Sequence, residues 1–332
     1  MRLVTLSLLV VTALLSTAAV SAQKGLLLVA QKGEASLAIV DPEAGKVLGV
    51  VPEGGVTGHE VIASADGRTA FVPIYGNSGV GKPGTDGQTL VAIDIASQKI
   101  VNKLDFGRGV RPHCPLIGPK DGLLYVTTEL DKTISLIDPK TLKIVGTIPT
   151  GQPESHMLVL SHDGKRGYTA NVGPGTVSVL DIAARKNIKV IPISGNTQRI
   201  AISADDRWVF TADQTKPQLA VIDTKSDAVT KWIPLEGVAY GTAATPDGRW
   251  LLVTLQDQNK IAVVDLKTMQ VVRSVPTGVN PQEIVVQPDG KKAYVSCMTS
   301  NQVAVIDLDT WKLGGLIATG KATDGVAWAA GQ

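Results

Sequence analysis

The chain of 332 residues has few of the residues that would point to several common protein classes. It has two cysteines, Cys114 and Cys297, and neither belongs to a Cys-x-x-Cys-His run, which excludes covalent attachment of a c-type haem. The 32 lysines and arginines nearly balance the 30 aspartates and glutamates, and no long block of one sign occurs. Because nucleic-acid binding depends on clustered cations, no nucleic-acid partner is predicted.

Long apolar runs are also missing, with one exception at the start of the chain. Residues 3–15 are nearly all apolar, Arg2 is the only charge in the first 22 residues, and Val20-Ser21-Ala22 offers small residues for cleavage. This pattern predicts a secretory signal peptide over residues 1–22, removed before Gln23. No second stretch of about 20 apolar residues follows. The sequence therefore predicts a periplasmic or secreted protein without an integral membrane segment.

The sequence does contain a repeated unit. A short apolar run ends in aspartate seven times, at intervals of 53, 44, 43, 42, 42 and 42 residues, at Asp41, Asp94, Asp138, Asp181, Asp223, Asp265 and Asp307. A second set of turns, most of them ending in Asp-Gly, repeats in parallel and also places the one long insertion in the second unit. Each unit holds four strand-like runs. This period predicts propeller blades, because one blade cannot bury its own apolar faces.

The two ends of the chain predict how the ring closes. The run at residues 26–30 matches the second strand of a unit, and the run at residues 324–330 reads as a spare inner strand. Pairing them leaves no open sheet edge between the first and last blades. The sequence thus predicts one all-β domain over residues 23–332, a seven-bladed β-propeller of four-stranded antiparallel blades. Cys114 and Cys297 then fall on different blades, too far apart for a disulfide.

Two units carry a motif that resembles a known repeat. Residues 293–297 read Ala-Tyr-Val-Ser-Cys and residues 166–171 read Arg-Gly-Tyr-Thr-Ala-Asn, each followed by an apolar run that ends in aspartate. The motif resembles the YVTN repeat of the YncE-like periplasmic propellers, over essentially residues 26–330. The resemblance implies more distant kin in the haem-binding propeller of nitrite reductases and in seven-bladed sugar lactonases. It implies the fold, since propellers carry many unrelated functions.

Two matches to ligand-binding motifs are interpreted as structural. The strand-ending aspartates resemble calcium ligands, but a sequence such as Asp138-Pro139-Lys140-Thr141 is typical of a turn in which the carboxylate accepts an amide hydrogen two residues on. The inserted residues 75–88 contain a G-x-G-x-x-G match, but a strand follows it where a phosphate site needs a helix. A loop of this length beside a channel is instead a candidate lid or, alternatively, a tolerated excursion without a role.

Aligning the units shows histidines at the start of three consecutive inner strands. The aligned positions are His59, His113 (offset by one residue), His156, Gln198, Tyr240, Gln282 and Asp324. Inner strands line the channel of a propeller, so we expect His59, His113 and His156 to meet at one mouth. Three imidazoles could hold copper, zinc or iron, or ligate a haem-like group. The alternative is that each histidine only caps its strand.

Other candidate ligand-binding residues flank the same mouth. Arg108, Arg111 and Arg199 fall in or just after the connections that lead into the inner strands. They predict a locally cationic mouth that would attract carboxylate or phosphate groups. Tyr240 and Asp324 lie across the ring and complete the candidate set.

Three functions remain open at this stage. The first is a noncatalytic, monomeric propeller that binds a small ligand or a protein partner at the histidine-lined mouth. The second is a metal- or haem-dependent redox protein that uses His59, His113 and His156. The third is a lactonase-like hydrolase, for which Glu60, Arg111 and His113 offer suitable groups without a recognisable catalytic arrangement.

Overall fold

The protein folds into seven four-stranded antiparallel sheets arranged as the blades of a β-propeller. The structure is a computed structural model that describes residues 25–331. The predicted signal peptide, residues 1–22, lies outside the described residues. The seven-bladed, nearly all-β architecture confirms the predicted fold class.

In blades 2 to 7 the four strands follow chain order from the channel outwards. In blade 1 the innermost strand comes from the other end of the chain. Blade 1 contains β1 (Leu26–Gln31), β2 (Ser36–Asp41), β3 (Lys46–Pro52) and, from the other end of the chain, β28 (Thr323–Ala329). Blade 2 contains β4 (Ile62–Ala63), β5 (Thr69–Gly76), β6 (Asp86–Asp94) and β7 (Lys99–Asp105). Blade 3 contains β8 (Pro112–Ile117), β9 (Leu124–Thr128), β10 (Thr133–Asp138) and β11 (Lys143–Pro149).

The remaining four blades repeat this pattern. Blade 4 contains β12 (Ser155–Leu160), β13 (Arg166–Asn171), β14 (Thr176–Asp181) and β15 (Lys186–Pro192). Blade 5 contains β16 (Thr197–Ile202), β17 (Trp208–Asp213), β18 (Gln218–Asp223) and β19 (Ala228–Pro234). Blade 6 contains β20 (Ala239–Ala244), β21 (Trp250–Leu255), β22 (Lys260–Asp265) and β23 (Gln270–Pro276). Blade 7 contains β24 (Pro281–Val286), β25 (Lys292–Cys297), β26 (Gln302–Asp307) and β27 (Lys312–Ala318). Two single 3₁₀ turns lie between strands: Glu129–Asp131 follows β9, and Gln256–Gln258 follows β21.

The ring closes between the two ends of the chain, as predicted. Strand β28 pairs antiparallel with β1, with Leu28 opposite Ala327 and Val29 opposite Val326. The main chain of β1 is therefore bonded on both sides, to β2 and to β28. Blade 1 gains its inner strand by this pairing, and the apolar β1 side chains stay buried.

Burial falls from the middle strands to the outer strand of each blade. In blade 6, β21 has five buried residues in succession, whereas β23 is mostly exposed, with one half-buried residue, Val271, and one buried residue, Val275. A middle strand is covered on both faces by the neighbouring blades, so it reads as a continuous apolar run. The core therefore consists of apolar layers between adjacent blades rather than one central cluster.

The strand-ending aspartates are turn residues. Asp138 Oδ1 accepts hydrogen bonds from the backbone amides of Lys140 and Thr141 at 2.8 and 2.9 Å. Asp223 and Asp265 make the same pair of bonds in their own turns. The turn interpretation is confirmed. Cys114 and Cys297 are both buried and free, which confirms that no disulfide joins them.

The inner strands share one register, which defines equivalent positions around the channel. In blade 4, Ser155 pairs with Asn171, and the ladder then shifts by one residue. The same shift follows Pro112 in blade 3, Thr197 in blade 5 and Pro281 in blade 7. Each inner strand thus begins with a paired residue and a β-bulge, and bulges redirect side chains. The two residues that follow the paired position form the contacts at the channel mouth.

Candidate functional site

Two rings of side chains surround the channel mouth. The first ring contains the residues directly after each paired position: His59, His113, His156, Gln198, Tyr240, Gln282 and Asp324. The second ring contains the residues that follow: Glu60, Cys114, Met157, Arg199, Gly241, Glu283 and Gly325. Both sets come from the bulged start of the inner strands, so the fold brings them together from seven separate segments of the chain.

The one-residue offset of His113 disappears in the structure. Gly118 and Leu123 are bonded through their main chains as Ser161 and Arg166 are, so the two turns have the same length. The Asp-Gly pair lies one position later in the turn of blade 3. An alignment of the units on this pair therefore places His113 one residue out of line. The strand register places His113 at the same position as His156.

The three histidines form one buried cluster with Tyr75. The rings of His113 and His156 stack with their centroids 3.6 Å apart, and the ring of His59 meets that of His113 edge-on at 5.6 Å. Tyr75 packs against all three rings at centroid distances of 4.6 to 5.6 Å. The histidines are 1 to 5% exposed and Tyr75 is fully buried. The predicted meeting of the histidines at one mouth is therefore observed.

Glu129 connects this cluster to the rim. Its carboxylate accepts a hydrogen bond from the Tyr75 hydroxyl at 2.7 Å and lies 3.3 Å from both His156 Nδ1 and Arg111 Nη1. Burial alone would raise the pKa of Glu129, but the hydrogen bonds from His156 and Tyr75 and the charge of Arg111 lower it below its ordinary value. Glu129 therefore stays ionised and orients His156 through Nδ1.

The three imidazoles are neutral at physiological pH. Burial lowers the pKa of His59 and of His113 well below the ordinary value, and the other histidines of the cluster and nearby cations lower it further. Burial also lowers the pKa of His156, although Glu129 opposes this. Two ring nitrogens, His59 Nε2 and His113 Nδ1, are buried without a hydrogen-bond partner among the described residues. Such atoms are rare in native proteins and require an explanation.

Arg199 occupies the centre of the second ring. Its Nη1 lies 2.5 Å from both Glu60 Oε1 and Glu283 Oε2, its Nη2 lies 3.7 Å from Asp324 Oδ1, and its guanidinium packs over the Tyr240 ring at 4.7 Å. Arg199 is 2% exposed. One buried guanidinium thus contacts side chains from blades 1, 2, 6 and 7 and links opposite walls of the channel.

Two glycines of the second ring lie against the main chain of the next blade. A Cβ atom at Gly325 would lie 2.5 Å from the His59 carbonyl oxygen and 2.7 Å from Glu60 Oε2, and one at Gly241 would lie 2.0 Å from the Gln282 carbonyl oxygen. No side chain fits at either place without moving the main chain of the next blade. The glycines therefore permit the close contact between neighbouring inner strands at the mouth.

The carboxyl groups around Arg199 outnumber it. Burial raises the pKa of Glu60, an effect that the Arg199 charge opposes and that Glu283 and Asp324 reinforce. Burial likewise raises the pKa of Glu283. Burial beside the other carboxyl groups thus favours the protonated forms of Glu60 and Glu283.

The predicted arginines do not form a free cationic surface. Arg111 is 6% exposed and its Nε donates to Asp86 Oδ1 at 2.6 Å, while Arg108 projects outward, with 64% of its side chain exposed, and pairs with Asp131. Arg199 is held by Glu60 and Glu283. The expectation of a cationic mouth was wrong because every one of these arginines is paired with a carboxylate.

The inserted loop, residues 77–85, lies beside the cluster. Arg111, which has a left-handed φ of 49°, donates from Nη2 to the Lys82 carbonyl oxygen at 2.7 Å and so ties the loop to blade 3. A cavity of about 360 Å³ opens between the loop and blades 3 and 4, and its lining includes Lys82, Arg111, Glu129 and Glu154. This cavity leads from the rim to Glu129, one hydrogen bond from Tyr75 and His156.

Tyr75, Glu129 and Lys32 were missed by the sequence analysis, although a signal existed. In the strand register they occupy one repeat position, the residue directly after the partner of each paired position on the inner strand. Their equivalents in the other blades are Val172, Gln214, Gln256 and Met298. Aligning the units at the end of the second strand would have shown a second row of side chains at the same mouth. Lys32 lies 3.9 Å from Asp324.

The residues suggested for lactone hydrolysis are divided between two networks. Glu60 bonds to Arg199, Arg111 bonds to Asp86 and Glu129, and no hydrogen bond within residues 25–331 joins Glu60, Arg111 and His113. In the same part of the chain, no three His, Cys, Asp or Glu side chains are arranged to hold one metal ion. The histidine rings also contact one another too closely for a porphyrin to lie between them, so we propose no haem chemistry at this site.

Family models match two overlapping parts of the chain. Residues 220–331 match the model of the YNCE-like β-propeller. Residues 117–245 match the model of the cytochrome D1 heme domain. The chain is similar to the YncE-like β-propellers and to cytochrome d1 domains. The predicted resemblance is thereby confirmed. A search of curated protein sequences gives no match.

Solved structures with the same fold come from several proteins. A functionally unknown protein from Desulfotomaculum acetoxidans DSM 771 is 15% identical, with a TM-score of 0.77 over 93% of this chain and 100% of the other. Dihydro-heme d1 dehydrogenase NirN is 15% identical, with a TM-score of 0.65 over 91% of this chain and 74% of the other. Kuenenia stuttgartiensis hydrazine synthase is 18% identical, with a TM-score of 0.52 over 76% and 96%. At these identities the likeness shows the fold alone.

The described residues also bear on the membrane prediction. Neither of the short helical turns in residues 25–331 approaches the length and apolar character that crossing a bilayer requires.

Proposed function

We propose that this protein is an exported β-propeller that binds a small polar ligand at the channel mouth through His59, His113 and His156. The observation that carries the proposal is the pair of buried nitrogens without partners, His59 Nε2 and His113 Nδ1. An unpaired buried polar atom costs about 1–3 kcal/mol, and a bound ligand that supplies the missing hydrogen bonds would recover this energy.

The burial of the site favours a small ligand over a protein partner. The three imidazoles are at most 5% exposed and the inserted loop lies beside them, so the side chains of a folded partner could not reach them. Small-molecule sites are typically concave and largely preformed, with a few convergent polar groups. The cavity beside Arg111 reaches Glu129, whose carboxylate lies 3.3 Å from His156 Nδ1.

A thermal-shift screen of the mature protein with neutral and charged polar compounds tests the proposal. Compounds that bind should raise the melting temperature of the wild type but not of a His59→Ala/His113→Ala variant, because ligands stabilise only the state that binds them. His162→Ala is the matched control, since the fourth histidine has 60% of its side chain exposed and pairs with Asp206. Equal shifts in all three proteins, or no shift in any, would contradict the proposal.

A transition-metal ion held by two of these histidines, His59 and His113, is a second candidate. The two unpaired nitrogens favour it, because neutral imidazole binds copper, zinc and iron. Titration calorimetry with CuCl₂ and ZnCl₂ should then show stoichiometric binding that the double variant loses and His162→Ala keeps. Binding that all three proteins share would place the metal elsewhere.

Export is proposed from the leader-like residues 1–22 and from the resemblance to YncE-like proteins. Expression of the full chain in a bacterial host should yield a mature protein in the periplasmic fraction that begins at Gln23, as measured by mass spectrometry. A chain that keeps Met1 and stays in the cytoplasm would contradict this.

A further inference from the structure

A cavity lined by charged side chains lies between blades 6 and 7. It has a volume of about 390 Å³, which is typical of small-molecule sites. The histidines lie at the start of the inner strands, whereas Thr245 of this cavity follows the end of β20, so the cavity opens on the opposite face of the propeller. Its lining includes two arginines, two aspartates and two tryptophans: Arg249, Arg273, Asp247, Asp309, Trp250 and Trp311.

Both arginines lie against indole rings. The Arg273 guanidinium packs over the rings of Trp311 and Trp250, 4.9 and 5.6 Å from their centroids, and the Arg249 guanidinium packs over Trp250 at 5.2 Å. Within residues 25–331 neither guanidinium donates a hydrogen bond to a protein acceptor. A guanidinium that stacks on a ring keeps its N–H donors free at its edge, where carboxylates bind. The tryptophans thus hold two cations whose donors have no partner in the described part of the chain.

The equivalent cations of the neighbouring blades are hydrogen-bonded. The register aligns Arg273 with Lys231 in blade 5 and Lys189 in blade 4, since each pairs with the third-strand valine beside the bulge. Lys231 Nζ donates to the Thr268 carbonyl oxygen at 3.2 Å, and Lys189 Nζ donates to the Ser226 carbonyl oxygen at 3.1 Å, each in a turn of the next blade. Arg273 makes no such bond within residues 25–331, so its donors are not used to join the blades.

Two carboxylates line the same cavity. Asp247 Oδ1 accepts hydrogen bonds from Thr245 Oγ1 at 2.5 Å and from the Arg249 amide at 3.0 Å, while its Oδ2 accepts none from the described residues. The exposed side chain of Asp309 makes no hydrogen bond within residues 25–331. No ion pair joins either aspartate to Arg249 or Arg273. The cavity therefore presents two charges of each sign that are not paired with one another.

This charge pattern favours a ligand that carries both signs. A simple anion would be attracted by the arginines and repelled by the aspartates, and a simple cation would meet the reverse. A molecule with one carboxylate and one ammonium group can pair with both sets. We propose that the cavity binds a small zwitterion of the α-amino acid type, with its carboxylate on Arg249 and Arg273 and its ammonium group on Asp247 and Asp309. This inference goes beyond the proposed function and does not depend on the histidine mouth.

Three related probes separate the two charges. L-leucine carries both groups, 4-methylpentanoate lacks the ammonium group, and 3-methylbutylamine lacks the carboxylate. The probes are titrated into the ¹⁵N-labelled mature protein, and the indole N–H signals of its five tryptophans are followed by NMR. Leucine should shift the signals of Trp250 and Trp311 but not that of Trp208. Its affinity should exceed that of either other probe at least about fivefold, the upper value for one exposed ion pair.

Removing one charge should change the affinities of two probes in opposite directions. Asp309→Asn should weaken leucine binding about fivefold, because the ammonium group loses a partner, and should strengthen 4-methylpentanoate binding, because a repelling charge is gone. Arg273→Gln should weaken the binding of both. Lys231→Gln, at the equivalent position one blade away, is the matched control and should leave all the affinities unchanged.

The results that would overturn the inference are distinct from one another. Equal affinities for leucine and 4-methylpentanoate would assign the cavity to simple anions, and equal affinities for leucine and the amine would assign it to cations. Leucine that leaves the Trp250 and Trp311 signals unshifted would show that the cavity is not the site. An Asp309→Asn variant that weakens both leucine and 4-methylpentanoate binding would give Asp309 a structural role only. None of these results bears on the histidine site.

Discussion

At the scale of single residues, the mouth depends on positions where a side chain cannot be added. Gly325 lies against the main chain of the next inner strand, where a Cβ would meet the His59 carbonyl oxygen at 2.5 Å and Glu60 Oε2 at 2.7 Å. The contact joins blade 1 to blade 2 through the hydrogen bond from Gly325 N to the His59 carbonyl oxygen at 2.8 Å. The placement of His59 and Glu60 therefore depends on a glycine 265 residues later in the chain.

Gly325→Ala should separate these two strands. The added methyl group would force the main chain of blade 2 to shift, and such overpacking costs about 1–3 kcal/mol. We expect a lower urea midpoint and weaker ligand or metal binding. Gly315→Ala on β27 is the control, because nothing lies within 4 Å of a Cβ there. Equal midpoints for the two variants would contradict the crowding argument.

Glu53, also a single residue, makes the free energy of unfolding depend on pH. It is fully buried, and its Oε2 accepts a hydrogen bond from Gly58 N at 2.6 Å while Oε1 has no partner within residues 25–331. Burial raises the pKa of Glu53 to about 7 in the folded protein, and the Gly58 amide only partly opposes this. The folded state therefore holds a proton that the unfolded state releases near its ordinary pKa of 4.5.

The sign of the resulting stability change follows from these two values. The contribution of Glu53 is fully present below the unfolded pKa and is lost as pH rises through the folded pKa. Between pH 5 and pH 8 we expect a loss of roughly 2 kcal/mol in the free energy of unfolding. Glu53→Gln should lack this loss, as measured by urea unfolding at both pH values. The exposed Glu34→Gln should behave as the wild type, and a Glu53→Gln curve parallel to the wild type would contradict the assignment.

At the scale of elements, the inserted loop depends on Arg111. The guanidinium bonds to Asp86 at the start of β6, to the Lys82 carbonyl oxygen within the loop and to Glu129 on the next blade. One side chain thus fixes the loop, which belongs to blade 2, against blade 3. The sequence predicted a loop beside the mouth, but the residue that holds it follows the loop by more than 25 positions.

Arg111→Gln should release the loop while leaving the blades folded. We expect amide hydrogen exchange across residues 77–85 to accelerate at least about tenfold, which corresponds to losing about 1.4 kcal/mol of protection. Exchange in β9 and β13 should not change. Arg108→Gln is the control, because Arg108 is mostly exposed and pairs only with Asp131. Unchanged loop exchange in Arg111→Gln would show that other contacts hold the loop.

At the scale of the whole molecule, stability depends on ring closure. Blade 1 obtains its inner strand from residues 323–329, which also pack against β24 and β25 of blade 7 through the layer formed by Leu27, Val29, Tyr294 and Val326. The inner edge of β1 is paired only when the two ends of the chain meet. The seven blades therefore form one cooperative structure rather than a stack of independent units.

A chain that ends at Lys321 should lose cooperative unfolding. Removing β28 would expose the buried residues of β1 and an open sheet edge, and exposed edges promote aggregation. We expect circular dichroism to show no single unfolding transition and size exclusion to show aggregates. A chain that lacks only Gln332 should behave as the wild type. A monomeric truncated protein with an unchanged transition would contradict closure by β28.

The fold could be predicted from the sequence more completely than the site. The seven sheets of four strands match the predicted repeat of four strand-like runs, because the period and the turn residues act locally in every unit. The histidine ring was also predictable, since aligned units place equivalent residues at equivalent heights. The partners of these residues were not: Glu129 bonds to Tyr75 and His156, and Arg199 to Glu60 and Glu283, across separations of 27 to 139 residues.

The sequence alone determined the number of blades, their four strands and the pairing of the two ends, because repeated apolar runs can be buried only by stacking copies of the same unit. Only the tertiary structure decided the character of the mouth. The charge of a channel depends on which side chains from seven distant strands come into contact, and here carboxylates neutralise the arginines that in sequence appear unopposed. The same contacts leave two imidazole nitrogens without partners, and no local pattern encodes that.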